Sequence, residues 1–131
     1  MRIYFAGNKK VYAEFNGFTV QTDQPVEGGG DGTAPAPYDL FLASLGTCAG
    51  IYVKGFCDSR GLSADGIEII QDIEYDFINR KVGKITLDIR VPSSFPDKYL
   101  PALIAAANHC AVKKTIQDPP EFDVRTTVLE Q

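Results

Sequence analysis

Apolar and polar residues alternate in three short runs at the start of the chain. The runs are Arg2–Ala6, Lys10–Phe15 and Phe18–Thr22, and such alternation is typical of half-buried strands. Asn16-Gly17 separates the last two runs and is a two-residue hairpin signal. The pattern therefore predicts three N-terminal strands, the last two joined in a hairpin.

Two longer apolar runs predict helices. The first covers Tyr38–Arg60 and is apolar on nearly every face, which is typical of a buried helix. Asp39 places a negative charge in its first turn, and Gly61 follows as a stop signal. The second helix is predicted from about Asp97 to Gln117, before the prolines at 119 and 120.

The remaining alternation predicts a long antiparallel hairpin and a last strand. Apolar residues alternate with acids from Ile67 to Phe77, and the alternation resumes at Ile85 after a turn predicted at Asn79–Gly83. Phe122–Leu129 is predicted as the closing strand. The order βββ-α-ββ-α-β gives an α+β fold. The glycine- and proline-rich segment from 25 to 37 is a long loop, either a functional element or a connector.

Composition narrows the classes of protein that the chain can represent. Its 131 residues predict a single domain over 1–131, and 44% hydrophobic content suffices for a core. The net charge of −4 argues against a nucleic-acid partner. We find no secretory h-region and no uninterrupted apolar run near 18 residues, so a membrane partner is not expected. Three cysteines indicate a reducing cytoplasm.

The first predicted helix is too apolar for one small domain to cover. One sheet face and one other helix cannot hide a helix that is apolar on all sides. We therefore predict a homodimer in which the central helices pack together and the sheets wrap around them.

Cys48 and Cys110 lie in the two predicted helices and are the leading candidates for chemistry. Each is either a small apolar core residue or half of a redox pair. Cys57 lies about 13 Å along the helix from Cys48, too far for a disulfide between them. A pairing, if one forms, is therefore expected between Cys48 and Cys110, which the predicted helix places on its inward face.

The reactivity of Cys48 requires a further group. Burial in mid-helix is expected to raise its pKa, so a reactive thiol calls for a nearby cation. Lys9 and Lys10 are the candidates, although each could be an ordinary solvated lysine. His109 adjoins Cys110 but is expected to point away from it. Asp39 is either a helix-terminus acid or a residue that serves the active site of a partner subunit.

Two segments resemble the OsmC/Ohr family of thiol-dependent hydroperoxide reductases. The segment from Gly32 to Cys48, GTAPAPYDLFLASLGTC, is similar to the family's glycine-rich loop, helix start and first cysteine. The segment from Ala107 to Ile116, ANHCAVKKTI, resembles its second cysteine motif. The resemblance covers essentially the whole chain and implies an intertwined homodimer with active sites at the subunit interface.

The resemblance also implies roles for individual residues. Cys48 corresponds to the peroxidatic cysteine and Cys110 to the resolving cysteine. Asp39 lies where the OsmC-like branch has a glutamate, and Lys10 (or Lys9) lies where the family has an arginine. Ala111 replaces the usual proline.

The function that the resemblance implies is reduction of organic hydroperoxides through a Cys48 sulfenic acid and a Cys48–Cys110 disulfide. An external small or protein dithiol reduces that disulfide, and no metal or organic cofactor is expected. Two alternatives stay open. One is a non-catalytic dimer that binds a small apolar ligand, and the other is a cysteine hydrolase using His109 and Asp39.

Overall fold

The three N-terminal strands form where the alternation predicts them. In the computed structural model, which describes residues 1–130, β1 (Arg2–Phe5), β2 (Val11–Phe15) and β3 (Phe18–Thr22) make an antiparallel sheet in the order β1-β2-β3. Asn16 and Gly17 both have positive φ, at 49° and 77°, as a tight hairpin turn requires. These strands belong to the first of two compact units, Met1–Gly46, and the second begins at Thr47.

The loop after β3 is ordered around one buried carboxylate. Asp23 is 0% exposed and accepts hydrogen bonds from the Thr33 hydroxyl at 2.6 Å and from the N–H groups of Gln24, Asp31 and Thr33. These donors hold its pKa far below the usual range, since they stabilise the charged form. A side chain at Gly30 would collide with the Gln24 carbonyl at 2.0 Å. The loop is therefore a built structure, with a 3₁₀ turn at Val26–Gly28.

The first helix, α1 (Pro37–Ser59), matches its prediction within one residue at each end. Gly61 adopts a φ of 65°, and the N–H groups of Gly61 and Leu62 bond to the carbonyls of Asp58 and Cys57. This is the glycine stop that the sequence indicates. The helix is long and apolar enough to span a membrane by length and composition only, which is a weak indication because core helices pass the same test.

The second pair of strands, β4 (Glu68–Asp76) and β5 (Lys81–Arg90), forms the predicted antiparallel hairpin. The turn predicted at Asn79–Gly83 is wrong by about two residues, because it lies at 77–80. The Asp76 carboxylate accepts the N–H groups of Ile78 and Asn79, at 3.0 Å each, and this fixes the earlier turn. Gly83 lies instead at a break in the strand register opposite Glu74 and Tyr75, where a bulge favours glycine.

The second helix is interrupted, contrary to the prediction of one helix from Asp97 to Gln117. A 3₁₀ turn leads into α2 (Leu100–Ala107), and α3 (Ala111–Gln117) follows after a break. Cys110 precedes α3 with φ −49° and ψ 122°, outside the helical region. It is therefore the N-cap of α3 and not a mid-helix residue.

The strand predicted over Phe122–Leu129 does not form, and residues 119–130 are irregular. Phe122, Val124 and Val128 are almost fully exposed, Val124 at 93%. A strand needs a partner for its backbone N–H and C=O groups, and this segment pairs with neither described sheet. The α+β class is otherwise confirmed, with two small antiparallel sheets and three helices over residues 1–130.

The hydrophobic core of the second unit gathers around the C-terminal half of α1. Leu103 and Ala107 of α2 and Phe95 pack with the buried face of α1, where Cys57 is 0% exposed. Apolar residues of β4 and β5, among them Ile69 and Leu87, pack against this cluster. The core thus fixes α2, which leads toward Cys110, against the part of α1 that follows Cys48.

Candidate active site

The two candidate cysteines meet in the second unit. Cys48 is half-buried on α1, whereas Cys110 is 2% exposed at the start of α3. The two side chains are hydrogen-bonded to each other, and both are free thiols. The structure thus brings together the two cysteines that their spacing in the sequence predicts as a pair. They meet because the chain breaks between α2 and α3, and not because two long helices face each other.

The backbone of α3 supplies the groups that activate Cys48. The Val112 N–H has the largest effect in lowering the Cys48 pKa, followed by the Cys110 thiol and the Ala111 N–H, while burial opposes them. These donors stabilise the thiolate because they place partial positive charge against the sulfur. The expectation that burial would dominate is therefore wrong, whereas the contribution of a cation stays a prediction. Within the second unit, the N–H groups in the first turn of α3 stabilise the thiolate.

Cys110 is shifted in the opposite direction. Burial is the main cause that raises its pKa, and the neighbouring Cys48 raises it further. The Lys113 N–H donates to its sulfur at 3.4 Å and partly offsets these effects. Two like side chains in contact thus acquire different acidities, with the more exposed one more readily ionised.

These activating groups could not be assigned from side-chain identity. Ala111 and Val112 act through backbone N–H groups, so their side chains give no indication of a role in the site. A signal does exist in Asn108-His109-Cys110, three successive residues of modest helix propensity inside a helical run. Asn108 caps α2 and Cys110 caps α3, and the break between them aims the N–H groups.

Two other predicted site residues lie in the first unit. The Lys10 ammonium pairs with the Asp31 carboxylate at 2.5 Å, and this contact raises the Lys10 pKa. Asp39 is exposed in the first turn of α1, nine residues before Cys48. Their roles toward the thiol stay predictions, as does that of Lys9.

Aromatic and basic side chains lie within a few residues of the two thiols along the chain. Tyr52 follows Cys48 by four residues on α1 and so shares its helical face, and its ring centroid lies 6.5 Å from that of His109. His109 Nδ1 lies 3.5 Å from the Lys114 ammonium, while the Lys113 ammonium donates to Asn108 at 2.6 Å. In the part of the chain from 1 to 130, no group of three or more metal-ligating side chains could hold a metal ion.

Comparisons with known proteins agree on one family. A family model described as OsmC-like protein matches residues 29–125. A crystal structure from Psychrobacter arcticus 273-4, provisionally described as an osmotic stress induced and detoxification response protein, superposes with a TM-score of 0.73. It shares 22% identity and covers 87% of this chain and 85% of that chain.

A second solved structure is a Legionella pneumophila protein described as organic hydroperoxide resistance protein OsmC, predicted redox protein and regulator of sulfide bond formation. Its TM-score is 0.57 at 19% identity, over 88% of this chain and 86% of that chain. At these identities the two structures show the fold alone. No protein with a curated description is significantly similar in sequence.

Proposed function

Because the chain belongs to the OsmC-like family, we propose that it is a thiol-dependent peroxidase that reduces organic hydroperoxides. One observation carries the proposal. A half-buried thiol, Cys48, touches a buried thiol, Cys110, under N–H groups that stabilise the thiolate of the first. A peroxidatic cysteine must be ionised and accessible, while a resolving cysteine need only lie within reach.

The proposed reaction has two chemical steps before reduction. The Cys48 thiolate attacks the distal oxygen of the hydroperoxide, the O–O bond breaks, and the alkoxide leaves as an alcohol after protonation. Cys48 is then a sulfenic acid. The Cys110 sulfur displaces its hydroxyl as water and forms the Cys48–Cys110 disulfide. An external dithiol restores both thiols by exchange and is itself oxidised to a disulfide.

The surroundings of the thiols support organic over inorganic peroxides. Tyr52 shares the face of Cys48 on α1, and its ring is tilted by 34° to that of His109. An aromatic wall favours a hydroperoxide that carries an apolar group, because burying that group removes apolar surface from water. We also propose that the protein is cytoplasmic and a homodimer, and that Asp39 and Lys10 support the thiolate across the subunit interface.

Thiol titration with and without cumene hydroperoxide tests the proposed function. The chain has three cysteines, and one equivalent of the peroxide is expected to remove two of the three free thiols. Cys57→Ser is the matched control and should fall from two free thiols to none. Turnover with dihydrolipoamide, set beside turnover with thioredoxin, then identifies the kind of reductant. Retention of all three thiols would contradict the proposal.

A non-catalytic dimer that binds a small apolar ligand is the second candidate. Exposed apolar side chains on α1, among them Tyr38, Ile51 and Tyr52, favour it. It predicts peroxide-resistant thiols, so the same titration separates the two functions. The cysteine hydrolase has less support, because the groups that lower the Cys48 pKa are N–H groups and a thiol rather than an imidazole.

A further inference from the structure

The break between α2 and α3 is not dictated by the covalent chain. No glycine or proline occurs from 102 to 118, and Ala111, the first residue of α3, is the strongest helix former of all. A continuous helix over this stretch is therefore a close competitor of the broken one. Contacts specific to the broken form must favour it.

One side-chain contact spans the break with the geometry of a strong hydrogen bond. The Lys113 ammonium reaches back from the first turn of α3 and donates to the side-chain oxygen of Asn108, the cap of α2, at 2.6 Å. A charged donor makes such a bond short and strong. The neighbouring Lys114 approaches His109 only at 3.5 Å, the outer limit for a hydrogen bond.

The Asn108–Lys113 bond is compatible with the break but not with a continuous helix. In an α-helix, residues five apart are rotated by about 140° around the axis, so their side chains diverge. The Ala111 and Val112 N–H groups would also bond to the carbonyls of residues 107 and 108 in a continuous helix. They would then no longer be available to Cys48.

We propose that Asn108 and Lys113 are positioning residues, whose hydrogen bond maintains the α2–α3 break and thereby keeps the Ala111 and Val112 N–H groups directed at Cys48. The importance of this arrangement for turnover rests on the proposed peroxidase function. The arrangement itself does not, and its test needs no peroxide. Lys113 acts through the backbone of α3 and not by contact with a substrate.

The test follows iodoacetamide alkylation of Cys48 across a pH series, read by mass spectrometry of its peptide. Lys113→Met should move the midpoint of the pH profile upward, which leaves less thiolate at neutral pH. We expect alkylation at pH 7 to slow at least about threefold, as it does when the midpoint rises by about half a pH unit. Lys114→Met removes the same charge one residue away. The logarithm of its alkylation rate should fall by less than half of the fall seen in Lys113→Met. Lys113→Arg keeps a cationic donor and should stay near the wild type.

A proline at position 111 separates positioning from simple loss of charge. Ala111→Pro enforces the break, because proline is favoured at the first helical position and the Cys110 ψ of 122° suits a residue before proline. Because this substitution also removes the Ala111 N–H, the double variant is compared with the single variant Ala111→Pro and not with the wild type. In that background Lys113→Met should have no further effect on the Cys48 midpoint.

Three results would overturn the proposal. The first is an unchanged midpoint in Lys113→Met. The second is an equal change of midpoint in Lys113→Met and Lys114→Met, which would indicate charge alone. The third is an undiminished effect of Lys113→Met in the Ala111→Pro background. Circular dichroism on each folded variant accompanies the series, and a gain of helix in Lys113→Met, as the break closes, would support the mechanism.

Discussion

Cys48 and Cys110 are the same side chain in two different environments. Donated N–H groups lower the Cys48 pKa, whereas burial raises that of Cys110. The sequence identifies both residues by their position in apolar runs and by the family motifs. The sequence could not predict why the two pKa values differ, because the backbone N–H groups of Ala111 and Val112 are the same in every residue except proline.

The first prediction concerns alkylation of the wild-type thiols. Since the Cys48 pKa is lowered and the Cys110 pKa is raised, Cys48 carries more thiolate than Cys110 at every pH between the two. At pH 7 we expect iodoacetamide to modify Cys48 several times faster than Cys110, which is also buried. Peptide mass spectrometry measures both rates, and urea-unfolded protein is the control in which they converge. Faster modification of Cys110 would reverse the assignment.

Cys57 is predicted to be structural. It is 0% exposed in the core cluster, so Cys57→Ser places a hydroxyl among apolar groups and should lower the free energy of unfolding by about 1–3 kcal/mol. Peroxide consumption should stay within a factor of a few of the wild type. Urea unfolding and a peroxide assay measure the two effects, and Cys57→Ala separates polarity from lost volume. A collapse of the rate in a folded variant would show that Cys57 takes part in the chemistry.

At the scale of elements, turn and stop signals predict boundaries well, and the exceptions arise from a local side-chain hydrogen bond and from a short run of modest helix formers. The Asn16-Gly17 turn and the Gly61 stop lie where their backbone requirements predict them. The β4–β5 turn lies earlier in the chain than predicted, because the Asp76 side chain accepts hydrogen bonds from the N–H groups of Ile78 and Asn79. The sequence did not predict the α2–α3 break, because the high helix propensity of the alanine-rich run exceeds the effect of three residues with modest helix propensity.

The loop after β3 gives a prediction about acid. The Asp23 pKa is lowered, so its contribution to loop stability is present above the unfolded value of about 3.9 and is lost as pH falls through the folded value. Between pH 7 and 4.5, hydrogen exchange at the Gln24 and Thr33 amides should therefore stay slow. Asp23→Asn, which keeps only one acceptor oxygen, should speed it at both pH values.

Glu27→Gln is the matched control for that loop, because Glu27 is exposed in the 3₁₀ turn and loses the same charge. It should leave exchange at the two amides unchanged. Equal acceleration in Asp23→Asn and Glu27→Gln would mean that net charge, and not the buried carboxylate, holds the loop.

At the scale of the molecule, much apolar surface has no cover within the described chain. Ile51 of α1 is exposed, and Phe122, Val124 and Val128 alternate along an unpaired C-terminal segment. The alternation predicted a strand here, and none forms in the described chain because a strand needs a neighbouring strand. The missing strand and the predicted homodimer both concern apolar surface that one chain leaves uncovered. A second copy of the chain would supply a neighbouring strand.

We predict a dimer at micromolar concentration that depends on the C-terminal segment. Neighbouring residues of an extended segment face opposite sides, so Val124→Ser should weaken the dimer while Arg125→Ser should not. Loss of one buried valine costs about 1.5 kcal/mol per chain and so about 3 kcal/mol per dimer, which corresponds to a rise in the dissociation constant of about 100-fold. Light scattering over a dilution series measures it. A folded wild-type monomer at micromolar concentration would contradict the prediction.

The most direct test of the account is the identity of the cysteine that peroxide oxidises first. Cys110→Ser removes the resolving thiol, so one equivalent of cumene hydroperoxide should leave a sulfenic acid that dimedone traps on the Cys48 peptide. Cys48→Ser, treated in the same way, should give no adduct on Cys110. An adduct on Cys110 in Cys48→Ser, with none on Cys48 in Cys110→Ser, would contradict the account.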